Sequence, residues 1–146
     1  MNVQNPLTID FGAIVTQIVS DCIVGKPDIE HPAESSHEDN YTAIWDTGAR
    51  MSSISRRVVE DLGLEPIGAI SVEGFHGEMS ANVYMINITP PIGVKFFAIF
   101  VTEAQMTSAD VLIGMDIIKY GDFLIANGDN KTVMRFQVPP MSRENR

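Results

Sequence analysis

Apolar residues in this chain come in short bursts of β-branched and aromatic side chains, each cut off by glycine, proline or asparagine. Gly25-Lys26-Pro27, Gly74-Phe75-His76-Gly77, Pro90-Pro91-Ile92-Gly93 and Asn127-Gly128-Asp129-Asn130 punctuate the runs. Strands are built from bursts of that length, and the chain shows neither an internal repeat nor the strand–helix alternation of a parallel sheet. A mostly β architecture follows. With 146 residues, 45% of them hydrophobic and 20% charged, the chain reads as one domain over 1–146 with a packed core.

The individual elements follow from the same punctuation. The run from Phe11 to Gly25 resembles a signal peptide only in apolarity. It follows Asp10, has no basic leader, and is interrupted by Thr16, Gln17, Ser20 and Asp21, so it reads as strand. Residues 25–40 carry Pro, Ser, Asp, Glu and His with few apolar side chains and read as a flexible surface loop. His31 and His37 lie in it, but nothing fixes their spacing for a metal, so they read as solvated and no metal site is expected. Tyr41–Trp45 and Met51–Ile54 read as short strands around a turn. Ser55 is a candidate N-cap for a helix with Val58, Val59 and Leu62 on one face and Gly63 at its end. Ile67–Ile88 is expected to form a hairpin with its tip at Gly74–Gly77. The run Val94–Thr102 is apolar at almost every position, as in a central strand covered on both sides. Val111–Ile113 reads as strand and Asp116–Tyr120 as a short helix. Phe123–Val138 reads as a second hairpin, its acidic turn lacking the spacing of a calcium loop, and 139–146 as a frayed tail.

Charge and cysteine content narrow the partners. A net charge of -9 disfavours nucleic acid and anionic membrane surfaces, and the pair Arg56-Arg57 is too small a patch to reverse this. The single Cys22 reads as a small buried hydrophobe and fits a reducing compartment. No stretch reaches the roughly 18 consecutive apolar residues of a membrane helix. A cytoplasmic protein without cofactor is expected.

The chemically loaded stretch is Ala43-Ile44-Trp45-Asp46-Thr47-Gly48-Ala49. A carboxylate at the end of an apolar strand is desolvated on one side, and it is costly to keep charged unless paired or working. Gly48 lets the backbone turn tightly beside it, and the Thr47 hydroxyl and nearby amides are available to hold it. Asp46 therefore reads as a rigidly presented acid.

This stretch, the glycine-bracketed hairpin tip and Val111-Leu112-Ile113-Gly114-Met115-Asp116-Ile117-Ile118 occur in the order found in retropepsins, the retroviral-type aspartic proteases. The resemblance spans about Phe11 to Val138 and looks closest to bacterial single-domain members. It implies a closed acid-protease barrel with two short helices and a flap hairpin. Asp46 matches the catalytic aspartate, and Thr47 the threonine that braces the two active-site loops across a dimer. Gly48 and Ala49 match substrate-binding backbone. Gly74, Phe75, His76 and Gly77 match the flap over the substrate. Leu112-Ile113-Gly114 matches the element behind the active-site loop, and Ile113 is expected to help line the site.

Aspartic proteolysis needs two carboxylates sharing a proton, and only one Asp-Thr-Gly is present. Asp110, Asp116 and Asp122 lack the following Thr/Ser-Gly. The implied enzyme is a homodimer that cuts extended peptides, with one Asp46 from each chain. Retroviral enzymes dimerise by interleaving short chain ends, so the long final hairpin here implies a differently built dimer. Two assignments stay open: Arg50 is either paired with Asp116 or faces solvent, and Trp45 is either a wall behind the site or a core aromatic. His76 is placed to touch substrate without a catalytic role. A catalytically silent peptide-binding or dimerisation module, and a monomeric zymogen activated by removal of residues 1–40, are the rival readings.

Overall fold

The computed structural model describes residues 6–74 and 77–141. Ten strands and two short helices run in the order β1 (Leu7–Asp10), β2 (Ile18–Pro27), β3 (Ser35–Trp45), β4 (Ser53–Ile54), α1 (Arg56–Leu62), β5 (Gly68–Gly74), β6 (Gly77–Thr89), β7 (Phe96–Glu103), β8 (Val111–Ile113), α2 (Met115–Ile118), β9 (Asp122–Ala126) and β10 (Val133–Gln137), with a single 3-10 turn at Gly128–Asn130. The larger sheet has the order β2-β3-β8-β4-β7-β6-β5, and an extra β2–β6 pairing closes it. Six strands therefore form a ring, and β5 hangs outside it on β6. A second sheet, β1-β10-β9, is built from the two ends of the described chain. No helix among the described residues is long and apolar enough to cross a membrane.

Closure buries one continuous core. Val24 and Ala43 enter from β2 and β3, Ile54 from β4, Tyr84, Ile86 and Ile88 from β6, Val101 from β7, Val111 and Ile113 from β8, and Met134 and Phe136 from the second sheet. Each fully buried aliphatic side chain contributes roughly 1.5–3 kcal/mol. Helix α1 closes one side through Val58, Val59 and Leu62, with the Ser55 hydroxyl accepting from Val58 N at its start. Cys22 belongs to this core, and burial pushes its thiol pKa far up.

Two expectations are corrected. The polar segment 25–40 is mostly strand: β3 begins at Ser35, and His37, Glu38 and Asp39 pair with Lys26, Gly25 and Val24 of β2, leaving only residues 28–34 as a connection. The ladder there is held by backbone hydrogen bonds, and residues 36–40 of β3 are all exposed, so apolar side chains are not needed on this strand and composition hides it. The strand at 94–102 is not covered on both sides either. Although β7 lies between β4 and β6, Phe97 is 58% and Phe100 53% exposed. Opposite Asn87, β7 carries an extra residue, because Ile86 pairs with Ile99 but Ile88 with Phe96. The buried Asn87 side chain accepts from Ala98 N at 2.8 Å and donates to Glu34 O and Ser35 Oγ, and this fastens the bulge. The bulge shifts the alternation and turns Phe97 outward. Part of the expected frayed tail is also held, since Met141 N donates to Asp122 Oδ2 at 2.9 Å; residues 142–146 lie outside the described residues.

Candidate active site

Asp46 stands where the central ladder runs out. β3 and β8 lie parallel with Trp45 opposite Ile113, and one further hydrogen bond, Asp46 N to Ile113 O at 2.8 Å, fixes the aspartate's backbone beyond the strand end. The chain then turns tightly, with Ala49 N donating to Asp46 O at 3.3 Å. Gly48 N donates to Asp46 Oδ1 at 2.8 Å, so the carboxylate is held by an amide of its own loop. A Cβ at residue 48 would sit 3.1 Å from that same oxygen. Asp46 is partly exposed and Thr47 and Gly48 are exposed. The Thr47 hydroxyl makes no hydrogen bond to another described residue, so it is presented outward along with the acid.

The loop is clamped from behind by the turn into α2. Met115 N donates to Ala49 O at 2.8 Å. Gly114 N donates to Ser52 Oγ at 3.0 Å, Ser52 Oγ donates to Asp116 Oδ1 at 2.7 Å, and Ser52 N donates to Asp116 Oδ2 at 2.9 Å. Backbone approaches so closely here that a Cβ on Gly114 would lie 2.8 Å from Ala49 O and 3.1 Å from the Met51 carbonyl carbon; only glycine fits. Asp116 thus pairs with Ser52 and not with Arg50, which is exposed and has no ion-pair partner among the described residues. Charge alone left Arg50 open between that pairing and solvent. The serine, at even spacing from the aspartate's own turn, carried no comparable sequence signal, because its role depends on a contact 64 residues away.

The remaining residues sort as follows. Ile113 is 0% exposed, so its side chain is core and does not line the site; the partly exposed Leu112 on the opposite face is the available neighbour. Trp45 is also core. Its ring stacks on Phe123 with centroids 5.5 Å apart, meets Phe136 edge-on at 5.0 Å, and its indole N–H donates to the buried Ser20 hydroxyl at 2.8 Å. Gly74 and Gly77 face each other across the β5–β6 hairpin, and Gly77 has a φ of 97°, a conformation glycine supplies without strain. Phe75 and His76 lie outside the described residues. At the root of that hairpin, Met51, Ile67, Ile70, Val83 and Phe100 line an open apolar cleft of about 290 Å³, which sequence reading missed because its walls come from four separate stretches of the chain.

The other acids are engaged elsewhere. Asp110 accepts from Ser55 Oγ at 2.9 Å and from Arg57 at 3.0 Å, Asp116 holds Ser52, and Asp122 accepts from Met141 N. The site therefore offers one presented carboxylate per chain. One such group exchanges one proton, but it cannot alone act as base toward water and as acid toward a carbonyl in the same step.

A family model described as "gag-polyprotein putative aspartyl protease" matches residues 36–120, more than half of the chain and a span that holds both Asp46 and the Gly114 turn. No curated protein matches the chain. Among solved structures, a retropepsin-like aspartic protease from Rickettsia conorii is similar at a TM-score of 0.57 and 15% identity, over 88% of this chain and 98% of that one. The retroviral protease-like domain of Ddi1 from Leishmania major aligns at 0.50 and 19% identity, over 88% and 98%. The protease of Simian Foamy Virus (mac) aligns at 0.50 and 18%, over 70% and 93%. These structural likenesses establish a shared fold, and the family match establishes kinship: the chain belongs to the retropepsin-like, gag-type aspartic protease family.

Proposed function

We propose that the protein is a homodimeric aspartic endopeptidase in which the Asp46 carboxylates of two chains share one proton. The observation that carries this reading is the loop itself: a carboxylate fixed by the Asp46 N–Ile113 O and Gly48 N–Oδ1 hydrogen bonds, presented outward beside an unengaged Thr47 hydroxyl, once per chain. Like charges about 3 Å apart cannot both ionise, so one carboxylate stays protonated. The ionised member takes a proton from water, which attacks the scissile carbonyl, while the protonated member donates a hydrogen bond to the carbonyl oxygen. Thr47 of each chain braces the opposite loop. An extended peptide lies between the floor, Gly48 and Ala49, and the flap, Gly74 to Gly77 with Phe75 and His76 at its tip, pairing its backbone with both in β fashion. Apolar side chains flanking the cut enter the cleft at Met51, Ile70 and Phe100, a role the buried Trp45 and Ile113 cannot take.

The test is cleavage of a diverse peptide library from acidic to neutral pH over a range of protein concentrations. Wild type is expected to cut peptides with a rate that rises faster than linearly with concentration. Asp46→Asn is expected to lower the rate by roughly 10²–10⁴-fold or more with unchanged circular dichroism. A folded, dimeric wild type that cuts nothing would replace the protease reading with a peptide-binding module.

A further inference from the structure

Between Asp46 and Ser55 the loop carries a single cation, Arg50. It is exposed and has no ion-pair, hydrogen-bond or ring partner among the described residues. Nearly every other cation there is taken up. Arg56 and Arg57 pair with Glu60, Glu103, Asp61 and Asp110, and Lys131 with Asp10. Lys26 and Lys95 donate to the carbonyls of Gly63 and Ala33, and Lys119 lies over the Tyr120 ring. Arg135, also without an ion-pair partner among the described residues, belongs to β10 in the second sheet. In a chain with 19 acidic residues against 10 basic ones, a bare arginine in the same loop as Asp46 is the exception. Asp116, on the turn behind the loop, has both carboxylate oxygens engaged by Ser52. Arg50 does not hold the loop together, so its charge is available to a group outside the chain.

We propose that Arg50 sets a substrate preference: it binds the side-chain carboxylate of a Glu or Asp in the peptide, on the order of three residues from the bond that is cut. The proposal rests on the reading of Asp46 as half of a protease dyad. The position follows from the turn. Ala49 N donates to Asp46 O, and a four-residue turn of that kind, extended by one residue, holds Arg50 within roughly 11 Å of Asp46 between Cα atoms. An extended peptide rises about 3.3 Å per residue, so this offset corresponds to about three residues. The guanidinium is a planar fork that matches a carboxylate through two parallel hydrogen bonds. Its neighbour Met51 lines the apolar cleft with Ile70 and Phe100, so the preferred sequence joins an acidic residue to an apolar one that fills the cleft. A two-fold dimer carries a second Arg50 on the other side of the cut, and the preference recurs there at the same distance. The net charge of -9 repels acidic peptides at long range, so the attraction is local to these two positions and acids elsewhere in the peptide are not favoured.

Peptides blocked at both ends, so that side chains supply the only carboxylates, test this. Each set differs only in carrying Glu, Gln or Lys at one position between the cleft-filling residue and either end. Wild type is expected to cut the Glu member with a kcat/KM about fivefold above the Gln member, the scale of a partly exposed ion pair, and further still above the Lys member. Arg50→Ala is expected to bring Glu and Gln level, and Arg50→Glu to reverse the order so that the Lys member is cut fastest. Binding of the labelled peptides to Asp46→Asn, with and without Arg50→Glu, read by fluorescence anisotropy, repeats the comparison without catalysis. Cleavage by wild type that ignores the charge, or an order that survives in Arg50→Glu, would overturn the proposal. So would an Arg50→Glu protein that sediments as a monomer where wild type is dimeric, which would give the arginine to the interface. A wild type that cuts nothing while Asp46→Asn still prefers the Glu peptide would keep Arg50 as a carboxylate site and sink the protease reading; neither cleavage nor preference would overturn both.

Discussion

The Asp46 loop and the β5–β6 hairpin, the floor and the flap of the proposed protease, are made by opposite means. The floor, Asp46 to Ser55, has a buried centre in which Ser52, Gly114 and Asp116 satisfy one another, and its backbone is tied to β8 and α2 by Asp46 N–Ile113 O and Met115 N–Ala49 O. β5 and the first half of β6 project from the ring, with Ser71, Glu73, Glu78 and Ser80 exposed and a glycine on each side of the tip. In the proposed protease, a carboxylate that must meet its twin at a fixed separation needs the first kind of support, and a cover that must let a peptide in needs the second. The largest expected effect therefore comes from forcing the floor apart. Gly114→Ala puts a methyl group 2.8 Å from Ala49 O, a backbone atom with nowhere to go, and is expected to cost about 3 kcal/mol and lower Tm by roughly 10 °C. Calorimetry checks it; an unchanged Tm would mean that the two backbones are free to separate, and the contrast between floor and flap would fail.

A smaller and more specific break is Ser52→Ala. It keeps the backbone N–H bonded to Asp116 but leaves Gly114 N, a buried donor, without its acceptor. The expected cost is about 1–3 kcal/mol. Arg50→Ala, which removes an exposed side chain without an ion-pair partner among the described residues, should stay within about 0.5 kcal/mol. Denaturant unfolding of the two variants side by side measures the difference. Equal losses would return Asp116 to Arg50 and make the serine incidental.

What sequence reading recovered and what it lost follow from the range of the interactions involved. The cap at Ser55, the Gly63 helix end, the β5–β6 hairpin and the turn at Gly128–Asn130 are specified by neighbours in sequence, and the structure has all of them. The Asp46 loop was legible because Asp-Thr-Gly is local and its family order distinctive. Residues 35–40 were misread because their pairing with β2 is a backbone matter and leaves no apolar trace. Phe97 and Phe100 were misread because a run apolar on both faces implies cover on both, whereas the outer face of β7 is left open: Phe100 points there by ordinary alternation with the buried Val101, and the extra residue opposite Asn87 adds Phe97. Ile113 and Leu112 are adjacent, so the family element located the strand correctly while the face had to come from the ladder register, Trp45 opposite Ile113. The Ser52–Asp116 contact spans 64 positions, and no local pattern announces it.

The smallest effect is expected at the flap, and it sharpens the comparison most. Glu73 and Glu78 are directly opposed on the last pair before the glycines, both exposed. Like charges across a strand pair push it apart, so this hairpin carries a built-in bias toward opening that the floor lacks. Glu78→Lys converts the repulsion to an exposed ion pair and is expected to stabilise the hairpin by about 1 kcal/mol or less. That is too little to move global unfolding much, but amide exchange along β5 and β6 should slow by up to about fivefold, with floor amides unaffected. Because both groups are solvated, the gain should shrink in molar salt, where the screening length falls to about 3 Å. If exchange slowed equally in the Asp46 loop, flap and floor would be one cooperative unit; a slowing confined to β5 and β6 and removed by salt makes the flap an independently opening element set by its surface charge.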